Sequence, residues 1–95
     1  MLDKRSFYID GRWVKPSKTN NFEVINPSNE EPFATISLGY EEDTNAAVKA
    51  AKNAFVKWKE ASKEERIKLL EKLLKIYKKR FDEMSNAISM EMGAP

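Results

Sequence analysis

The sequence predicts an α+β fold for a single unit of 95 residues, and two observations support this prediction. Up to about residue 39, short aromatic and β-branched runs alternate with turn residues, which is typical of strands. From about residue 40, apolar residues recur at spacings of three and four, which is typical of amphipathic helices. We therefore divide the unit into a strand and hairpin arm over 1–39 and a helical part over 40–95.

A β-hairpin is predicted near the start of the arm. Phe7–Ile9 and Arg12–Val14 are short runs of aromatic and β-branched residues, and Asp10-Gly11 separates them. This two-residue pair favours a type I′ turn, because both of its positions need a positive φ. The two runs should therefore pair as antiparallel strands.

A second pair of strands is predicted on either side of an Asn-Pro turn. The first strand covers Phe22–Ile25, and the turn residues of 26–29 follow it. The second strand covers Phe33–Leu38, in which apolar residues alternate with Thr35 and Ser37. This alternation predicts one apolar face and one face in contact with water.

Helices are predicted over most of the remaining sequence. The first runs from about 42 to 59, and three acidic residues over 41–43 suit the partial positive charge of its N-terminus. Ser62 and Glu65 form a capping box that starts a second helix. The apolar pattern continues beyond a joint predicted near 80–82.

The chain ends with a helix stop, since Gly93 stands at the C-cap region and Pro95 follows two residues later. We expect more chain to follow Pro95, because a final helix has little need to redirect the polypeptide. The helices also carry more apolar surface than these short strands can cover. Both features predict packing partners beyond these 95 residues.

Composition excludes several kinds of chemistry. The chain has no cysteine and no histidine, so it has no disulfide, thiol nucleophile, imidazole base or Cys/His zinc site. Neighbouring acidic residues such as Asp82 and Glu83 diverge on a helix and form no acid/base dyad. The three glycines are too scattered for a phosphate-binding loop. We therefore expect no catalytic and no cofactor-binding residues in this chain.

Charge and hydropathy bear on partners and location. The segment 62–80 carries eight basic and three acidic residues, which we interpret as a solvated helix face rather than a nucleic-acid site. No apolar run is long enough for a membrane span, and the opening residues are polar and mixed. We expect a soluble, cytoplasmic protein that binds no nucleic acid and no membrane.

Five short segments stand in a fixed order along the chain. They are Tyr8–Trp13, Val24–Pro27, the alanine-rich stretch 42–55, the residues Trp58, Arg66, Leu69 and Leu70, and Glu91–Pro95. In this order and spacing they resemble the N-terminal region of the aldehyde dehydrogenase superfamily. The resemblance extends over nearly the whole chain but covers only about the first fifth of such an enzyme.

The resemblance implies an oxidoreductase that converts aldehydes to carboxylic acids or acyl thioesters with NAD or NADP. It also implies that the catalytic cysteine, the glutamate base and the dinucleotide-binding turn lie downstream. This region would then be part of the α/β NAD(P)-binding domain, with a structural role. Its partners would be the remainder of the chain and, in a homo-oligomer, other copies. Alone, the 95 residues should be inactive.

The resemblance further implies a site for a monovalent cation, because several family members bind one there. By position its ligands would be the main-chain carbonyls of Val24 and Ile25 and the side chain of Glu91. Oxygen ligands suit a hard cation. The alternative is a plain strand end and a surface glutamate. Ala94 stands where the family often has lysine.

A second interpretation treats the chain as a stand-alone helical protein-interaction module without enzymatic activity. It would use the same uncovered apolar surface to bind another protein. The helix stop at Gly93 favours the first interpretation, because it predicts a continuing chain.

Overall fold

The computed structural model describes all 95 residues and contains five strands and three helices, which confirms the α+β class. The elements are β1 (Leu2–Lys4), β2 (Phe7–Ile9), β3 (Arg12–Val14), β4 (Asn21–Asn26), β5 (Glu31–Ser37), α1 (Glu41–Trp58), α2 (Lys63–Lys79) and α3 (Phe81–Met92).

A three-stranded sheet in the order β1-β5-β4 lies at one end of the molecule. Strand β4 runs antiparallel to β5, as expected for neighbours joined by a short turn. Strand β1 runs parallel to β5, with Leu2 opposite Ala34. The sequence did not predict β1, because a three-residue strand with one apolar residue has no periodicity of its own.

The predicted hairpin is confirmed. Strands β2 and β3 pair with Tyr8 opposite Trp13, and both turn residues have positive φ, 55° at Asp10 and 72° at Gly11. The rings of Tyr8 and Trp13 lie 5.1 Å apart on an exposed face. On the other face, the ring of Phe7 lies against Gly39, just before α1.

The predicted alternation in β5 is wrong at its end. Ser37 was expected in water but is buried, whereas Leu38 is 42% exposed and lies beyond the strand. The segment after β1 covers Ser37, whose hydroxyl donates to the carbonyl of Arg5 at 2.7 Å. A buried hydroxyl is acceptable here because it has a hydrogen-bond partner.

The helices begin and end close to the predicted residues. Helix α1 covers 41–58 rather than 42–59. The capping box is present, since Glu65 N donates to Ser62 Oγ at 3.1 Å and Ser62 N donates to Glu65 Oε2 at 3.3 Å. Arg80 separates α2 from α3, and Gly93 ends α3 in the left-handed conformation with φ 69°.

The chain buries almost none of its apolar surface. Only Ala34 and Ser37 are buried, and the molecule is a thin layer of 48 × 34 × 16 Å. Large apolar side chains along all three helices are exposed, including Phe55 at 59% and Leu70 at 64%. Hydrophobic burial within these 95 residues therefore contributes little to stability. None of the helices has the length and apolar character needed to cross a bilayer.

One carboxylate joins the loop after β3 to the start of α1. Asp43 accepts hydrogen bonds from the backbone N–H of Tyr40 at 2.9 Å and from the backbone N–H and hydroxyl of Ser17 at 2.8 and 3.0 Å. The backbone N–H of Tyr40, followed by that of Ser17, lowers the pKa of Asp43 below its ordinary value. These bonds hold the hairpin and α1 in one arrangement.

We predict that the isolated chain self-associates. Each Å² of apolar surface left in water costs about 25 cal/mol, so contact between copies is favourable. Sedimentation equilibrium at tens of micromolar should detect a dimer or a larger species. Leu73→Asp should weaken the association, whereas Lys72→Asp on the neighbouring polar position should not. A strictly monomeric chain that unfolds cooperatively would contradict this prediction.

We predict that Asp43→Asn lowers the thermal unfolding midpoint at pH 7, because the amide weakens three hydrogen bonds to a charged acceptor. A lowered pKa in the folded state stabilises the fold above the ordinary value of 3.8, and that stability is lost as pH falls through the folded pKa. The difference between the two proteins should therefore shrink below about pH 4. Glu42→Gln is the control and should have the same unfolding midpoint as the unmodified chain. A difference in unfolding midpoint that does not change with pH would contradict the role of the Asp43 charge.

Candidate functional site

The three predicted cation ligands lie on two elements that pack together. Val24 and Ile25 belong to β4, and Glu91 lies in the last turn of α3, which packs against β4. Val24 and Glu91 both line a groove of about 760 Å³ between the sheet and helices α2 and α3. Ile25 is not among the groove residues and is 45% exposed. The fold thus brings two of the three residues to one cavity.

The ladder between β4 and β5 is irregular at the two predicted carbonyls. Val24 stands opposite Ala34, but Ile25 stands opposite Pro32, so Phe33 has no partner and forms a bulge. Pro32 has no N–H and cannot donate to β4. Main-chain oxygens at such an irregularity are more available to another ligand than those in a regular ladder.

The end of α3 lies directly against the turn that follows β4. A Cβ at Gly93 would stand 3.2 Å from the backbone nitrogen of Ser28 and 3.3 Å from the Cβ of Pro27. The turn is held by Asn26, whose side-chain oxygen accepts from the backbone N–H and hydroxyl of Ser28 at 3.0 and 2.9 Å. This contact sets the distance between the end of α3 and β4.

The carboxylate of Glu91 has no hydrogen-bond or ion-pair partner in the structure. The other acid of the groove, Glu83, accepts two hydrogen bonds from Arg80, at 2.8 and 3.2 Å. These bonds lower the pKa of Glu83 and raise that of Arg80. Glu91 is therefore the one acid of the groove that is free to bind a ligand.

The oxygen donors of the predicted site are of the kind that binds a hard cation. They are main-chain oxygens and a single carboxylate, and the chain has no cluster of three or more His, Cys, Asp or Glu residues. Thiolate and imidazole ligands are absent, because the chain has no cysteine and no histidine. The donor types therefore suit oxygen ligation of an ion of low charge.

Most of the groove is apolar. Its floor includes Leu2, Ala34 and Ile36 of the sheet, and Ile76 and Met84 stand on its helical walls. Lys4 also lines it and adds a positive charge that lowers the pKa of Glu83. The contribution of β1 could not be predicted from the sequence, because a strand of three residues has no periodicity of its own. The alternation of Ala34 and Ile36 was the available signal for the floor.

Comparison with known proteins decides the family. The model of the aldehyde dehydrogenase family matches residues 13–95. The chain belongs to the aldehyde dehydrogenase family. It is 47% identical over 95 residues to 3-succinoylsemialdehyde-pyridine dehydrogenase from a Pseudomonas species, covering all of this chain and 20% of that protein. A crystal structure of aldehyde dehydrogenase from Bartonella henselae matches with 53% identity and a TM-score of 0.99, covering 100% of this chain and 20% of that one.

This aldehyde dehydrogenase chain spans about a fifth of the length of the relatives it matches. The resemblance to the N-terminal region of the family is confirmed. The fold is also that of the matching part of the solved enzyme, because the TM-score is 0.99 over the whole chain. The alternative of a stand-alone interaction module has no support from these comparisons.

Proposed function

We propose that the whole protein to which this segment belongs is an NAD- or NADP-dependent aldehyde dehydrogenase. It would oxidise aldehydes to carboxylic acids or acyl thioesters through a cysteine outside these 95 residues. The observation that carries the proposal is the match of residues 13–95 to the family, together with the 47% identity to a dehydrogenase over the whole chain. Family membership also supports NAD or NADP as the cofactor.

The segment itself has a structural role in this proposal. It has no cysteine or histidine, and the charged groups of its groove without an ion-pair partner are Glu91 and Lys4. Its exposed helices would pack on the remaining four fifths of such an enzyme. We also propose that the whole protein is a homo-oligomer, for which the exposed Tyr8 and Trp13 offer a contact surface. The charged, cysteine-free composition supports a cytoplasmic location.

We predict that the chain can replace the matching fifth of the Bartonella henselae enzyme. The chimera should oxidise aldehydes with a kcat/KM within about tenfold of the unmodified enzyme, a barrier change of about 1.4 kcal/mol. The substrate panel should include the semialdehyde named for the Pseudomonas relative. Reduction of NAD and of NADP is followed by absorbance for each substrate.

Two controls accompany the chimera. The recipient without its first fifth should be inactive or insoluble, because it lacks the surface that the segment covers. The 95-residue chain alone should give no turnover, because it has no thiol. A chimera that unfolds at the temperature of the unmodified enzyme but has no activity would contradict the proposed function.

We propose a second, binding function for the same segment. The carbonyl oxygens of Val24 and Ile25 and the carboxylate of Glu91 would bind a monovalent cation. The bulge opposite Pro32, the position of Val24 and Glu91 on one groove and the lack of any other partner for Glu91 support this site.

We predict that thallium(I), a heavy analogue of potassium, shifts the carbonyl ¹³C signals of Val24 and Ile25 when titrated at constant ionic strength. Glu91→Gln should weaken the apparent affinity about tenfold or more, because a charged ligand is lost. Asp82→Asn, at the other end of the same helix, is the control and should bind as the unmodified chain does. Equal binding by the Glu91 variant and the unmodified chain would exclude Glu91 as a ligand.

A further inference from the structure

One side of helix α2 carries a row of four exposed lysines. Their spacings along the chain are four, three and four residues, which places them on the same side of an α-helix. The row extends over about 17 Å, since each residue of a helix adds about 1.5 Å. Its members, which we call the lysine row, are Lys68, Lys72, Lys75 and Lys79.

The charges of the lysine row are not neutralised within the chain. Glu64 precedes Lys68 by four residues and Glu71 precedes Lys75 by four residues, which is the favourable order for ion pairs on a helix. Neither pair forms, because both ion pairs of the structure lie outside the row. The row is therefore a strip of unpaired positive charge.

The lysine row lies on the side of α2 that is turned away from the groove. Leu73 and Tyr77 of the same helix line the groove, whereas none of the four lysines does. Leu70 belongs to the same apolar side as Leu73 and Tyr77, at helical spacing. A protein surface that covers this apolar side leaves the lysine row in water.

The chemistry of the row determines the kind of partner that fits it. Unpaired lysines attract an anion, but the row includes no apolar side chain to enter a bilayer and no aromatic ring to stack on bases. Glu71 stands beside the middle of the row and repels an uninterrupted chain of phosphates. A protein segment can place a neutral or basic residue opposite Glu71 and carboxylates opposite the lysines. Charge complementarity therefore favours an acidic protein segment.

We propose that the lysine row of α2 is a docking surface for an acidic helix of another protein. Glutamates that recur every three and four residues on such a helix have the same spacing as the four lysines. The contact consists of exposed ion pairs, so its affinity is modest and falls as salt is added. This binding function does not depend on the proposed dehydrogenase activity.

The probe for this proposal is a synthetic alanine-based helical peptide with four glutamates at the spacing of the lysine row. It carries a fluorophore and is titrated with the 95-residue chain at low ionic strength, with fluorescence anisotropy as the readout. Lys72→Gln/Lys75→Gln should lower the affinity about fivefold, because two of the four ion pairs are lost. Lys49→Gln/Lys52→Gln is the matched control, since it removes two exposed lysines at the same spacing from α1. It should change the affinity by less than about twofold.

Four results would overturn the proposal. They are absence of peptide binding by the unmodified chain, equal affinity of the Lys72/Lys75 variant and the unmodified chain, an equal loss in the Lys49/Lys52 control, and tighter binding to anionic phospholipid vesicles or to a DNA duplex than to the peptide. The third would mean a general attraction to a basic chain, and the fourth would mean a different class of partner.

A second measurement uses the unmodified chain and does not depend on the folding of any variant. Lysines are acetylated with an amine-reactive reagent, with and without the peptide, and are quantified by mass spectrometry. The peptide should slow the acetylation of Lys72 and Lys75 about threefold or more and should leave Lys49 and Lys52 unchanged. Equal protection of both pairs, or of neither, would contradict docking on the lysine row.

Discussion

The main physical constraint on this structure is that very few of its residues are buried. Only two residues are buried, so hydrophobic burial within the chain offsets little of the entropy of ordering 95 residues. Local hydrogen bonds fix the junctions between the elements. The Asp43 hydrogen bonds, the capping box at Ser62 and the turn at Asn26 each fix one junction. They determine the direction of each element, while most of the apolar surface of the helices stays exposed.

The elements that could be predicted are those whose signals are local. The Asp10-Gly11 pair marked the hairpin, and Ser62 with Glu65 marked the start of α2, because each feature acts within a few residues. Strand β1 and the burial of Ser37 could not be predicted. Strand β1 forms, and Ser37 is buried, because Leu2–Lys4 pairs with a strand about thirty residues later in the sequence. The first residues have no periodicity that predicts this pairing.

The candidate site could be predicted only through family resemblance. Val24, Ile25 and Glu91 are far apart in sequence, and their residue types alone do not indicate a cation. The end of α3 packs closely on the turn after β4 at Gly93, and this contact brings Val24 and Glu91 to one groove. Pro32 was a visible hint of the bulge opposite Ile25, because proline cannot continue a ladder. Arg80 binds Glu83 and leaves Glu91 unpaired, and the sequence alone does not indicate which acid Arg80 binds.

The parallel pairing of β1 with β5 affects the order in which the nascent chain can acquire structure. Leu2 leaves the ribosome well before its partner Ala34, which is the thirty-second residue after it. At about 5–20 residues per second, β1 waits about two to six seconds for its partner strand. The hairpin of β2 and β3 can close within microseconds once both strands have emerged. Strand β1 is therefore incorporated only after the hairpin has closed and β5 has emerged, and until then its edge stays open to other partners.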